Sequence, residues 1–205
     1  MSVERPKPQN PRLFRLKDAL LCNPAVGPSL IQHWAKQGYL LHGTERHGSV
    51  ERLTFSFSEL VYLSILVRLS WFGAISKETT IGFPSRKPTE DELIEKTVAE
   101  YKDPYSKHDI QLPTYETKLT TPEPILDTLI AFDWDMLLTI RPIQVKLATA
   151  SARSKQIEIR YDVELHGTGQ LTEASLTRGV TLTDAVVIID AQRIYDEVKS
   201  ALGIT

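Results

Sequence analysis

The stretch that decides the fold of this chain is VGPSLIQHWAKQGYL, residues 26–40. A proline near its start and a glycine near its end are typical of helix termini, so the stretch predicts a short helix over 28–37. The apolar residues recur at spacings of three and four and share one face: Ile31, Trp34 and Ala35. The polar residues fall on the opposite face: Ser29, Gln32, His33 and Lys36. The pattern predicts a helix that is anchored on one side and free to bind on the other.

Helix, turn and strand signals flank this stretch. Upstream, residues 14–21 predict a short helix or a strand that leads into one, and Asn23-Pro24 ends it. Downstream, residues 40–55 contain glycines and alternating residues, which favour a two-stranded hairpin. Ser56 and Glu59 then form a capping box, which predicts the start of a third helix.

The third helix carries a regular leucine pattern and ends at Gly73. Its apolar residues are expected on one face: Leu60, Leu63, Leu66 and Leu69. Two helices, a tight turn, a hairpin and a supporting helix are the parts of a winged helix-turn-helix. A generic three-helix core fits the same spacing, so spacing alone leaves both interpretations open.

Taken in register, these residues resemble the winged helix-turn-helix of the MerR family of transcriptional regulators. The positions that carry the resemblance are Val26, Ile31, Trp34, Gly38 and Leu40, followed by Arg52, Phe55, Leu60, Leu63, Leu66, Leu69 and Gly73. The resemblance covers residues 13–78 and implies that the helix 28–37 enters the DNA major groove. The residues that it implies for DNA contact are Ser29, Gln32, His33 and Lys36 on that helix, Arg46, His47 and Arg52 on the wing, and Arg15 and Lys17 beside them.

Three departures from the family pattern shape what the resemblance implies. The wing has Gly48-Ser49-Val50-Glu51-Arg52 where the family usually has a Gly-Tyr-Arg-x-Tyr run. Gln32 stands where the family usually has arginine, so the base preference is not carried over, although glutamine suits a bidentate contact with adenine. No long heptad helix follows Gly73, where the family has an antiparallel coiled coil. We therefore expect a homodimer to form through the C-terminal module or through a helix at 89–101.

The rest of the chain predicts a connector and a second module. Residues 79–123 are rich in proline and contain one amphipathic helix, 89–101, with a capping box at its start. The module 124–205 is expected to contain the following elements: a helix over 125–132, strands at 143–147 and 157–165, a turn at 166–169, strands at 176–182 and 185–189, and a final helix capped by Asp190.

The predicted fold class is therefore α+β. A flexible arm, 1–12, precedes the winged helix-turn-helix, and the C-terminal module has an antiparallel sheet with helices packed on one side. The apolar run 185–189 is expected to be an interior strand, because alternation is absent from it.

The charge distribution agrees with two modules of different character. The 205 residues carry a formal net charge of -2. Residues 1–80 hold ten Lys and Arg against six Asp and Glu, whereas residues 81–205 hold 14 against 20. This asymmetry favours a basic binding module joined to an acidic regulatory or assembly module. A lone cysteine, Cys22, and the lack of a long apolar run predict a cytoplasmic protein. The DNA binding that the resemblance implies would place it on the nucleoid.

The function expected from these observations is sequence-specific binding of double-stranded DNA by a transcriptional regulator. Two alternatives stay open: an excisionase-like architectural factor of a mobile element, and a protein-interaction adaptor that uses the winged domain and the acidic module. No catalytic site, cofactor or metal site is predicted, because the sequence shows no nucleophile motif, phosphate loop or metal-ligand spacing.

Overall fold

A computed structural model describes residues 14–47, 50–77, 79–84, 91, 94, 114–151, 154–167 and 187–204. Several predicted features lie outside these residues: the arm 1–12, the strand 176–182, the end of the turn 166–169 and most of the helix 89–101. Within that last helix, only Asp91 and Ile94 are described, and both have helical backbone conformation.

The N-terminal part of the chain contains three helices and a small sheet. The elements are β1 (Phe14–Arg15), α1 (Leu16–Cys22), α2 (Pro28–Lys36), β2 (Gly43–His47), β3 (Val50–Phe55) and α3 (Phe57–Trp71). The strands pair antiparallel in the order β1-β3-β2. This order of elements confirms the short entry strand, the three helices and the hairpin that the sequence predicts.

The second sheet has five described strands in the order β5-β4-β7-β6-β8. They are β4 (Thr80–Pro84), β5 (Thr114–Lys118), β6 (Met136–Ser151), β7 (Ser154–Gly167) and β8 (Val187–Asp190). Helix α4 (Pro122–Ala131) lies between β5 and β6 in sequence, and α5 (Ala191–Ala201) follows β8. Both helices confirm the prediction, as does the Asp190 cap, whose carboxylate accepts a hydrogen bond from the Arg193 N–H at 3.0 Å.

Three features of this sheet differ from the prediction. Strand β4 pairs in parallel with β7, so the sheet is mixed and the expected antiparallel sheet is wrong at this pair. Strands β4 and β5 both come from the segment predicted as a connector, where their short lengths gave no clear alternation. Strand β6 begins at Met136, whereas the predicted strand begins at residue 143. The prediction missed the first residues because the apolar residues there do not alternate with polar ones.

The predicted interior strand is also corrected. Among the described strands, β8 lies at one end of the order and pairs only with β6. Ile189 is buried, but its neighbour Ile188 is 46% exposed. The continuous apolar run therefore does not mean that both faces of this strand are buried. The strand is only four residues long and leads directly into Asp190, the N-cap of α5.

Helix α3 is the centre of the hydrophobic core. The Ser56 hydroxyl accepts from the Glu59 N–H at 3.2 Å, and the Glu59 carboxylate accepts from the Ser56 N–H at 2.6 Å, which confirms the capping box. Every residue from Leu60 to Leu69 except Arg68 is buried. The predicted leucine face is therefore only part of a surface that is covered on nearly all sides. No helix in the described part of the chain has the length and apolar composition to cross a membrane.

Asn23 fixes the turn between α1 and α2 against α3. Its side-chain amide donates to the Ala19 carbonyl oxygen at 3.1 Å and to the Ser64 hydroxyl at 2.9 Å. The Ser64 hydroxyl donates in turn to the Leu60 carbonyl oxygen at 3.0 Å. Asn23 is 6% exposed, so water cannot readily replace these bonds. The position of α2 relative to α3 depends on them.

Helix α5 packs on α3 and joins the C-terminal part of the chain to the N-terminal part. The Tyr195 ring meets Phe57 edge-on at 5.1 Å between centroids and lies 5.8 Å from the Trp134 ring. Arg68 forms an ion pair with Glu197 at 2.7 Å. That pair is partly exposed and adds little to stability, so the attachment depends on the aromatic contacts and on the buried apolar side chains of α5, Ala191, Ile194 and Val198.

We expect the substitution Asn23→Ala to lower the free energy of unfolding by about 1–3 kcal/mol, because it removes two buried hydrogen bonds. Urea unfolding followed by circular dichroism measures the change. The exposed residue Lys77 provides the control, and Lys77→Ala should stay within about 0.5 kcal/mol of the parent protein. An equally small effect of both substitutions would contradict the role assigned to Asn23.

Candidate nucleic-acid interface

Both ends of helix α2 are defined by residues that the sequence pattern singled out. Gly27 is the N-cap in an extended conformation, and Pro28 occupies the first helical position. At the other end, Gly38 has a φ of 80°, in the left-handed region. The Tyr39 N–H donates to the Trp34 carbonyl oxygen at 3.0 Å, and the Gly38 N–H donates to the Ala35 carbonyl oxygen at 3.2 Å. These two bonds form a Schellman motif, which stops the helix where the sequence predicts.

Helix α2 presents two different faces. Ile31 is fully buried and Trp34 is 4% exposed, so both side chains anchor the helix in the core. The exposed residues are Pro28 at the start of the helix and the four predicted for DNA contact, Ser29, Gln32, His33 and Lys36. The structure therefore places this set together on the accessible surface of one helix, whose orientation is fixed by the residues beneath it.

The four predicted residues differ in what they can bind. Ser29 lies in the first turn, where backbone N–H groups lack helical acceptors, and its hydroxyl can contact a base or a phosphate. Gln32 carries both a donor and an acceptor, which can pair with the edge of adenine. His33 and Lys36 lie in the last turn, where the helix dipole favours positive charge, and Lys36 suits a phosphate.

The small sheet carries a second group of charged residues. Strand register places Arg15 opposite Thr54 and Glu45 opposite Arg52, so all four residues belong to the same face of the sheet. The Arg15 guanidinium forms an ion pair with Glu45 at 3.3 Å. Sequence reasoning missed Glu45, because its partner Arg15 is distant in sequence and belongs to another strand.

The remaining predicted residues lie on separate elements. Lys17 is exposed on α1, and Arg52 is exposed on β3. Arg46 and His47 belong to β2, and the register places Glu51 opposite Arg46, but their side chains lie outside the described part of the structure. The hairpin strands therefore carry two acidic residues in register with two predicted phosphate contacts, which reduces the positive charge expected of a wing.

Cys22 packs at the end of α1 and is half-buried. Burial, together with the nearby Asp18 carboxylate, raises the pKa of its thiol to about 11. The thiol is therefore protonated at neutral pH and is a poor nucleophile or metal ligand. Its contacts with the core indicate a packing role.

We expect Gly38→Ala to destabilise the protein by about 1–2 kcal/mol, since an alanine pays a steric penalty in the left-handed region. Gly38→Asn should cost less, because asparagine enters this region more readily. Gly82→Ala is a suitable control, since an added Cβ would lie 3.8 Å from Glu164 Cγ, an ordinary contact. Thermal unfolding of the three variants ranks their stabilities. A larger loss of stability for Gly82→Ala than for Gly38→Ala would contradict this account.

Comparisons with known proteins give no independent identification. No family model matches the chain, and no curated protein is significantly similar to it in sequence. A function for this chain has to be inferred from its own residues and geometry.

Proposed function

We propose that this protein binds double-stranded DNA in a sequence-specific manner and regulates transcription. The observation that carries the proposal is the division of α2 into a buried face, Ile31 and Trp34, and an exposed polar face that contains Gln32 and Lys36. A helix that is held rigidly from below and offers hydrogen-bonding groups above is suited to read base edges in the major groove.

The surrounding elements support this interpretation. Helices α1 and α2 are joined by a short turn, a hairpin follows, and α3 packs behind them, which is the order of elements in a winged helix-turn-helix. In the proposed arrangement α2 is the recognition helix, the β2–β3 hairpin is the wing, and Arg15, Lys17 and Arg52 contact flanking phosphates. Such a protein would act in the cytoplasm, on the nucleoid.

The proposed assembly is a homodimer formed through the C-terminal part of the chain. One short recognition helix contacts few base pairs, and two copies on paired half-sites double the number of contacts. The alternative function, a protein-interaction adaptor, predicts a different result for the exposed face of α2. A protein-docking role would tolerate neutralisation of Lys36 and would show no dependence on DNA.

The experiment that tests the proposal selects bound duplexes from a random pool and then measures affinity for the enriched site. We expect Gln32→Ala to weaken binding to that site by about 1–3 kcal/mol, roughly 5- to 150-fold, and to affect random duplex little. Lys36→Ala should weaken binding to both duplexes and reduce the salt slope by about 1.

Lys77→Ala serves as the matched control for Lys36→Ala, because Lys77 is exposed and lies outside α2. Its affinity and salt slope should match those of the parent protein. The proposal fails if no sequence is enriched, or if both α2 variants bind as the parent does. Enrichment of several adjacent sites accompanied by DNA bending would instead indicate the architectural alternative.

The ion pair between Arg15 and Glu45 gives a second prediction, because the carboxylate offsets positive charge on the face shared with Arg52. Glu45→Gln should increase DNA affinity several-fold and steepen the salt dependence. Stability should change by less than about 0.5 kcal/mol, since the pair is exposed. Glu116→Gln, at an exposed position on β5, is the control and should leave affinity unchanged. Weaker binding by Glu45→Gln would show that Glu45 positions Arg15 for DNA contact.

A further inference from the structure

Strands β6 and β7 continue past the residues at which the other described strands pair with them. Strand β8 pairs with β6 only over residues 137–140, and β4 pairs with β7 only at Val163 and Glu164. From Pro142 to Ser151, the partner of β6 among the described residues is β7 alone. At about 3.3 Å per residue, this two-stranded ribbon is roughly 30 Å long.

The ribbon is basic, although the module around it is acidic. Residues 142–161, which include the two paired strands of the ribbon and the residues between them, contain four Lys and Arg against one acidic residue, Glu158. The rest of the segment 124–205 contains four Lys and Arg against ten Asp and Glu. Positive charge in the C-terminal module is therefore concentrated on the ribbon, which favours contact with an anionic partner.

Strand register shows how the charges are distributed along the ribbon. Lys155 is opposite Thr149 and Arg160 is opposite Gln144, so neither has an acidic residue directly across the ladder. Lys146 is opposite Glu158, which is the one such oppositely charged pair between Gln144 and Ser151 on β6. The apolar residues Val145 and Leu147 are opposite the apolar residues Ile159 and Ile157, at alternate positions of the register.

We propose that the β6–β7 ribbon is a second DNA-contacting element, an arm that binds phosphates of the duplex away from the site of α2. The proposal rests on the proposed function, because it takes double-stranded DNA as the partner. A two-stranded ribbon fits a DNA groove in width, and its basic residues match the regular negative charge of the backbone. A second copy of the ribbon is a poorer partner, since two basic ribbons repel each other.

The test uses the full-length chain and a labelled duplex of random sequence, about 30 base pairs long. We expect the double variant Lys155→Gln/Arg160→Gln to lower affinity roughly tenfold or more at physiological salt and to reduce the salt slope by about 2. The matched control removes two exposed lysines elsewhere, Lys77→Gln/Lys118→Gln, and should retain the parent affinity and slope. Circular dichroism and urea unfolding confirm that all variants are folded.

The outcomes separate this proposal from the proposed function. If Lys36→Ala weakens binding and the ribbon variant does not, the arm is overturned and the function of α2 stands. If the ribbon variant weakens binding and Lys36→Ala does not, the arm stands and the assignment to α2 fails. A parent protein that does not bind the duplex overturns both. A ribbon variant that instead shifts the sedimentation coefficient, with unchanged DNA affinity, overturns the arm in favour of contact between copies.

Discussion

The burial of helix α3 on nearly every side is the constraint on which the rest of the structure depends. A helix with apolar residues all round cannot remain at a surface, because each exposed face would cost free energy. Residues 60–67 form an unbroken buried run, so neighbours are required in every direction. Helices α1, α4 and α5 supply them, and the aromatic pair Phe57–Tyr195 closes the contact with α5.

This constraint also determines how α2 is presented. Because α3 is immobilised by the core, the Asn23–Ser64 hydrogen bond ties the start of the α1–α2 turn to a rigid support. Ile31 and Trp34 then hold α2 from below, and the Schellman motif at Gly38 ends it. The exposed face of α2 is thus positioned by contacts that involve none of its own polar residues. Those polar residues can vary in identity without disturbing the fold, which is what a recognition surface needs.

Local signals in the sequence predicted local structure well. The Ser56–Glu59 capping box, the Pro28 and Gly38 boundaries and the strand over 157–165 were each predicted from residues close in sequence, and the structure confirms them. The exposed face of α2 could be predicted for the same reason. The parallel pairing of β4 with β7 could not, because short strands carry little periodic signal and their partners are distant in the chain. The ion pair of Arg15 with Glu45 was missed because its two residues belong to different strands and are distant in the sequence.

The acidic body of the protein is consistent with a DNA partner because the charges are segregated. A net charge of -2 averages over regions of opposite sign, whereas electrostatic attraction acts over a Debye length of about 8 Å and responds to each region separately. Basic residues on the ribbon would attract a duplex, while the excess of acidic residues in the rest of the segment 124–205 would repel it. Repulsion of this kind lowers the affinity of unproductive orientations and leaves the productive one favoured. An acidic remainder therefore favours a defined docking geometry, which a uniformly basic surface would not provide.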